Sequence, residues 1–189
     1  MNPREYKHLN DEEIIIHIRI KGEKELFNIL FERYYQKVLD KCYSLIKNRG
    51  LAEDFANEIF SKVFEKIISV DNINHFSSWL YSVTYNYCID YLRHKKRLHY
   101  PDWNLKNEIP EIPDESEENF SQYDYDLLLE VLDKIHPEEK ALLIMKYQDN
   151  ISMREIAKSL RISEDAAKMR MKRARTRVMY LYRNVTRTH

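Results

Sequence analysis

Residues 152–177 read SMREIAKSLRISEDAAKMRMKRARTR, and their pattern decides the fold. Ser152 stands three residues before Glu155, the spacing of a capping box that opens a helix. Ile156, Ala157 and Leu160 then share one helical face. Arg161 and Ile162 make a turn, and Ser163 is placed to cap a second helix. Glu164 and Asp165 sit in its first turn, where the positive end of the helix dipole favours carboxylates. Ala167, Met171, Ala174, Val178 and Leu181 follow as one narrow apolar stripe. The opposite face carries Lys168, Lys172, Arg175 and Thr176, with Arg170, Arg173 and Arg177 on its flanks. A short helix, a tight turn and a longer basic helix form a helix-turn-helix, whose second helix enters the DNA major groove. The competing reading is an ordinary helical hairpin with a solvated face. Such a face carries mixed charge, yet residues 166–189 contain no Asp or Glu, which favours DNA.

The composition outside this stretch points to helix nearly throughout. Only 2 Gly and 5 Pro accompany 33% charged and 43% hydrophobic residues in a chain of 189. So few breakers among so many Leu, Ile, Glu and Lys predict an all-α chain of one or two domains. The net charge is zero, but it is segregated: residues 98–133 hold many acids and one base, Lys106. A neutral total therefore hides a candidate nucleic-acid binder. Cys42 and Cys88 each fall in an apolar helical pattern, as core thiols of a reducing cytosol do. No secretory signal opens the sequence and no apolar run approaches membrane-spanning length, so no membrane insertion is expected.

Along the chain, Asn10 or Asp11 caps a first helix through Ile14, Ile15, Ile18 and Ile20, with Gly22 interrupting it. A second helix is expected over 23–47, terminated by Gly50. A third, LAEDFANEIFSKVFEKII at 51–68, buries Phe55, Ile59, Phe60, Val63, Phe64 and Ile67. Asp54 and Glu58 are four residues apart outside that face, so two carboxylates share a patch with Asn57. The patch reads as a solvated face, as a dock for a basic partner, or as a catalytic or metal pair. The last lacks any neighbouring His or Cys.

Residues 69–77, SVDNINHFS, break the helix with turn formers including Asn72 and Asn74. Ser77 or Ser78 caps a fourth helix to residue 97, with Phe76, Leu80, Val83, Tyr87 and Tyr91 inward and Tyr85, Asn86, Asp90 and Arg93 outward. It ends in the cluster Arg93, His94, Lys95, Lys96 and Arg97. Rings beside cations suit single-stranded DNA, where aromatic faces stack on bases and cations hold phosphates. For Trp79 and Tyr85 this reading stands level with burial in the core. Residues 98–122, with Pro101, Pro110, Pro113 and the run Asp114-Glu115-Ser116-Glu117-Glu118, read as an acidic flexible linker. That acidity serves solubility, or it repels or mimics DNA. Helix resumes at 123–136 with Leu128, Val131, Leu132 and Ile135 inward. Pro137 opens the next helix, which buries Leu142, Leu143 and Met145.

Three motifs now align in order. LAEDFANEIFSKVF, FSSWLYSVTYNYCIDYLRHKKR and LDKIHPEEKALLIMKYQDNISMREIAKSL with its basic helix resemble the RNA polymerase sigma factors of the extracytoplasmic-function group. The resemblance runs from Leu26 to Leu181. It implies two small helical domains, 1–97 and 123–189, joined by the linker 98–122. It implies core RNA polymerase and promoter DNA as partners, an anti-sigma factor as a candidate third, and a cytoplasmic specificity subunit with no cofactor and no catalysis. Asp54, Asn57 and Glu58 then fall on the polymerase-docking face. Asn72, Asn74, Trp79, Tyr85, Asn86, Arg93, Lys96 and Arg97 fall at the −10 element. Ser163, Asp165, Lys168, Met169, Arg170, Lys172, Arg173 and Arg175 fall at the −35 element. Lys168 and Met169 are expected to read bases, with Arg170, Arg173 and Arg175 on phosphates. The group often has Gly in the helix-turn-helix turn, where this chain has Arg161 and so needs a positive φ from a non-Gly residue. The alternative, a stand-alone dimeric helix-turn-helix regulator, leaves the 51–97 motifs unused. No P-loop, Ser-His-Asp order or zinc spacing supports an enzyme.

Overall fold

Local signals set most of the helix ends. Asn10 and Glu13 form a capping box, each side chain bonded to the other's backbone N–H, and Ser152 and Glu155 form a second. Asp124 accepts from the Leu127 N–H at 2.9 Å. His136 Nδ1 accepts from Glu138 N–H ahead of Pro137, whose missing N–H costs nothing at a first helical position. The computed structural model describes residues 6–69, 75–95 and 124–186, and every regular element among them is helical. The helices are α1 Asp11–Ile20, α2 Phe27–Ile46, α3 Arg49–Ser69, α4 Phe76–Lys95, α5 Tyr125–Lys134, α6 Pro137–Leu143, α7 Met153–Leu160 and α8 Glu164–Thr186. They group into two units, α1–α4 and α5–α8. Asn72, Asn74, Lys96, Arg97 and the 98–122 segment lie outside the described residues.

In the first unit α2, α3 and α4 enclose a core that includes Leu30, Val38, Ile59, Val63, Ile67, Phe76, Leu80 and Ile89. Ile14, Ile15 and Ile18 lay α1 over this bundle, while Ile20 is 79% exposed and takes no part. Arg33 pins the start of α1 by an ion pair to Asp11 at 2.7 Å and by donating to the Leu9 carbonyl. Tyr34 also donates its hydroxyl to Asp11. Cys42 of α2 and Cys88 of α4 are both buried and unbridged. A hydrogen bond between them, together with burial, pushes the Cys88 thiol well up.

Two sequence expectations fail here for local reasons. Gly50 terminates nothing: it lies in the first turn of α3. Lys47 ends α2 instead, in a left-handed conformation with φ 55, and Asn48 caps the next helix by accepting from the Leu51 N–H. The fourth helix also starts earlier than Trp79, after His75 at φ 61, so Ser77 and Ser78 lie within its first turn. Its inward face is rotated from the one expected. Thr84, Tyr85, Cys88, Ile89 and Leu92 are buried, whereas Val83, Tyr87 and Tyr91 are half-buried.

In the second unit α7 and α8 form the helix-turn-helix, with Ile156, Ala157 and Leu160 facing Ala167, Met171, Ala174 and Val178 across the core. Arg161 adopts the expected left-handed turn at φ 55, and Ser163 accepts from the Ala166 N–H. Met179, not Leu181, completes the buried stripe. α6 widens into a π-type turn over Ile144–Gln148 before Asn150, at φ 54, redirects the chain. Glu138, Glu139 and Lys140 are buried, a placement their charge does not announce. Each is paired: Glu138 to Arg170 at 2.7 Å, Glu139 to Arg177 at 3.5 Å and Lys140 to Asp133 at 2.6 Å.

Candidate nucleic-acid interface

The outer face of α8 follows from the stripe that it buries. With Ala167, Met171, Ala174 and Val178 turned inward, Asp165, Lys168, Met169 and Lys172 face solvent. Met169 is half exposed, a large apolar side chain left in water beside cations. Lys168 bridges to Glu164 one turn back at 3.0 Å, and that bond raises its ammonium pKa. Ser163, at the helix start, is also exposed.

The arginines divide in a way that the sequence did not separate. Arg170 was expected on phosphate. It instead turns inward to Glu138, whose carboxylate is almost fully buried, so its guanidinium is already committed. Arg173 and Arg175 are half-buried, and the Nε of each is shielded without a hydrogen bond.

In the first unit α3 presents Asp54, Asn57 and Glu58 on its exposed face, because Phe55, Ala56, Ile59 and Phe60 occupy the inner one. Lys62 reaches back to Glu58 at 2.8 Å. The Tyr87 hydroxyl of α4 also hydrogen-bonds that carboxylate; Lys62 and then Tyr87 hold the Glu58 carboxyl below its ordinary value. Burial and Glu58 push the Tyr87 phenol up in return. Asn57 and Ser61 border a shallow groove of about 370 Å³ floored by Phe27, Phe31, Phe60 and Phe64. Sequence reading missed this groove and the Tyr87 contact, since both join residues of different helices.

On α4 the structure separates the expected −10 residues. Tyr85 is fully buried, its hydroxyl 3.2 Å from Lys41 Nζ, and is not available for stacking on a base. Its position fits the core alternative left open by the sequence. Trp79 is half-buried against Phe76 at a ring distance of 6.0 Å. Asn86 is half-buried with a shielded Oδ1 that makes no hydrogen bond. Arg93 lies 4.0 Å from Asp90 near the helix end. Among the described residues no His, Cys, Asp and Glu side chains gather as a metal site, and no helix is long and apolar enough to cross a membrane.

Comparison with known proteins places this geometry. Residues 30–98 match Sigma-70 region 2, and residues 125–178 match Sigma-70, region 4. The chain is 30% identical over 170 residues to the ECF RNA polymerase sigma factor SigW of Bacillus subtilis, covering 82% of this chain and 88% of that protein. It is 25% identical over 154 residues to the RNA polymerase sigma factor CarQ of Myxococcus xanthus, covering 80% and 86% of the two. Its fold is similar to that of the sigma factor RpoE of Bartonella quintana, solved with the anti-sigma factor NepR. The TM-score is 0.58 at 16% identity, over 83% of this chain and 96% of that one. With both regions matched in order and SigW related over most of its length, the chain belongs to the extracytoplasmic-function group of the sigma-70 family of RNA polymerase sigma factors.

Proposed function

We propose that the two helical units divide the work of a sigma factor, which binds core RNA polymerase and directs it to promoters. α3 docks Asp54, Asn57 and Glu58 on a basic surface of the polymerase. α4, with Trp79, Asn86 and Arg93, melts the −10 element and holds the unpaired strand. Asn72, Asn74, Lys96 and Arg97 join it there. α8 enters the major groove of the −35 element: Lys168 and Met169 read bases with Asp165 and Lys172 beside them, Ser163 lies at the helix start, and Arg173 and Arg175 meet phosphates. The domains span 1–97 and 123–189, tethered by the acidic 98–122 segment. The protein works in the cytoplasm as a specificity subunit with no reaction of its own. The RpoE structure holds an anti-sigma factor, which supports a similar inhibitory partner for this chain.

The observation that carries the reading is the outward row Asp165, Lys168, Met169 and Lys172 on a helix whose opposite stripe is fully packed. A stand-alone dimeric regulator would leave α1–α4 and the region 2 match without a role. In holoenzyme reconstituted on a randomised upstream element, Lys168→Ala alters preference at one or two positions by about 1–3 kcal/mol. Arg173→Ala weakens all sequences alike and flattens the salt dependence by roughly one unit. The assignment fails if Arg173→Ala changes the preferred sequence while Lys168→Ala lowers affinity uniformly.

A further inference from the structure

Glu58 is the only member of the proposed polymerase dock for which the structure shows partners from two directions. Lys62 approaches from the same helix at 2.8 Å, and Tyr87 approaches from α4. The two partners differ in how firmly they are held. The Lys62 side chain is about half exposed and ends a flexible four-carbon stem. Its ammonium also lies 4.4 Å from the centre of the Tyr87 ring. Tyr87 is anchored: its ring meets the edge of Phe55 at 5.0 Å, and Phe55 is buried. A cation from a partner therefore competes with Lys62 for the carboxylate, whereas the phenol hydroxyl stays in place.

We infer that Tyr87 is a positioning residue for polymerase binding, its hydroxyl fixing the Glu58 carboxylate for a cationic side chain of the partner. The inference rests on the proposed docking role of Glu58 and adds to it a residue from the helix assigned to the −10 element. The physical basis is pre-organisation. A free Glu side chain on a helix surface samples several rotamers, and binding must select one. A donor fixed by ring packing makes that selection before the partner arrives. A partner's cation that displaces Lys62 from Oε1 then meets a carboxylate already held in place.

Tyr87→Phe tests this, since it keeps the ring against Phe55 and removes only the hydroxyl. Affinity of the full-length chain for core polymerase is measured for wild type, Tyr87→Phe, Glu58→Ala and the double variant. The expected result is a loss of about threefold to tenfold for Tyr87→Phe. The thermal midpoint is unchanged, and Tyr87→Phe causes no further loss in the Glu58→Ala background. Unchanged affinity for Tyr87→Phe while Glu58→Ala binds weakly would overturn the positioning role, and so would equal losses in both backgrounds. A Tyr87→Phe defect confined to promoter opening, with normal polymerase affinity, would overturn it in favour of a DNA contact. Wild-type affinity for Glu58→Ala would instead remove the docking reading on which the inference rests.

Discussion

Arg170→Ala lowers the stability of the C-terminal unit by about 3 kcal/mol and leaves the salt dependence of promoter binding unchanged. The first half follows from burial. Glu138 is 1% exposed and paired with Arg170 at 2.7 Å, so removing the guanidinium strands a carboxylate away from water. The second half follows from direction: Arg170 pairs with Glu138 of α6, so on this account it neutralises no phosphate and releases no counterion. Hydrogen exchange of α6 and α8 amides reads the stability, because those two helices lose one of the ion pairs that join them. Replacing both partners, Glu138→Leu with Arg170→Met, recovers most of the loss, since a buried pair exchanged for apolar groups of similar size is often near neutral. A salt dependence flattened by about one unit in Arg170→Ala would return this residue to the phosphate contacts.

The second large effect is expected at the dock. Asp54→Lys with Glu58→Lys weakens binding to core polymerase by about 100-fold, or roughly 3 kcal/mol. Both side chains are exposed on α3, so the fold loses little: the Glu58–Lys62 pair is a surface bridge, and such pairs contribute about 0–1 kcal/mol. Binding loses attraction at two positions and gains like-charge repulsion at both. Fluorescence titration of labelled core polymerase against the variant gives the affinity, and circular dichroism establishes that the helices remain. Wild-type affinity in a folded variant would place the polymerase contact elsewhere on the bundle.

What the sequence disclosed was what neighbouring residues decide. The Ser152–Glu155 box, Pro137 at a helix start and the positive φ at Arg161 all depend on contacts within a few residues, and all were legible. The apolar stripes of α3 and α8 were legible too, because Ile, Val, Phe and Ala mark an inward face with little ambiguity. α4 was harder. Its core positions include Thr84, Tyr85 and Cys88, types found on either side of a surface, and the competing tyrosines at 87 and 91 are half-buried against Phe55. Counting apolar steps therefore chose a face rotated by about one residue.

The buried charges were not legible at all. Glu138 and Glu139 stand at the start of α6, where carboxylates ordinarily complement the helix dipole. Only the fold brings up Arg170, 32 residues away, to neutralise the first of them. The same distance hid the division among the arginines of α8. Their sequence is uniformly basic, but Arg170 and Arg177 serve the interior while Lys168 and Lys172 face solvent.

The most direct test mixes the purified chain with core RNA polymerase and promoter DNA, and follows both assembly and strand opening. The chain is expected to comigrate with core enzyme, and thymines of the −10 element become reactive to permanganate only when chain and core are both present. The account is contradicted if the chain fails to comigrate with core enzyme and instead protects duplex DNA by itself as a dimer.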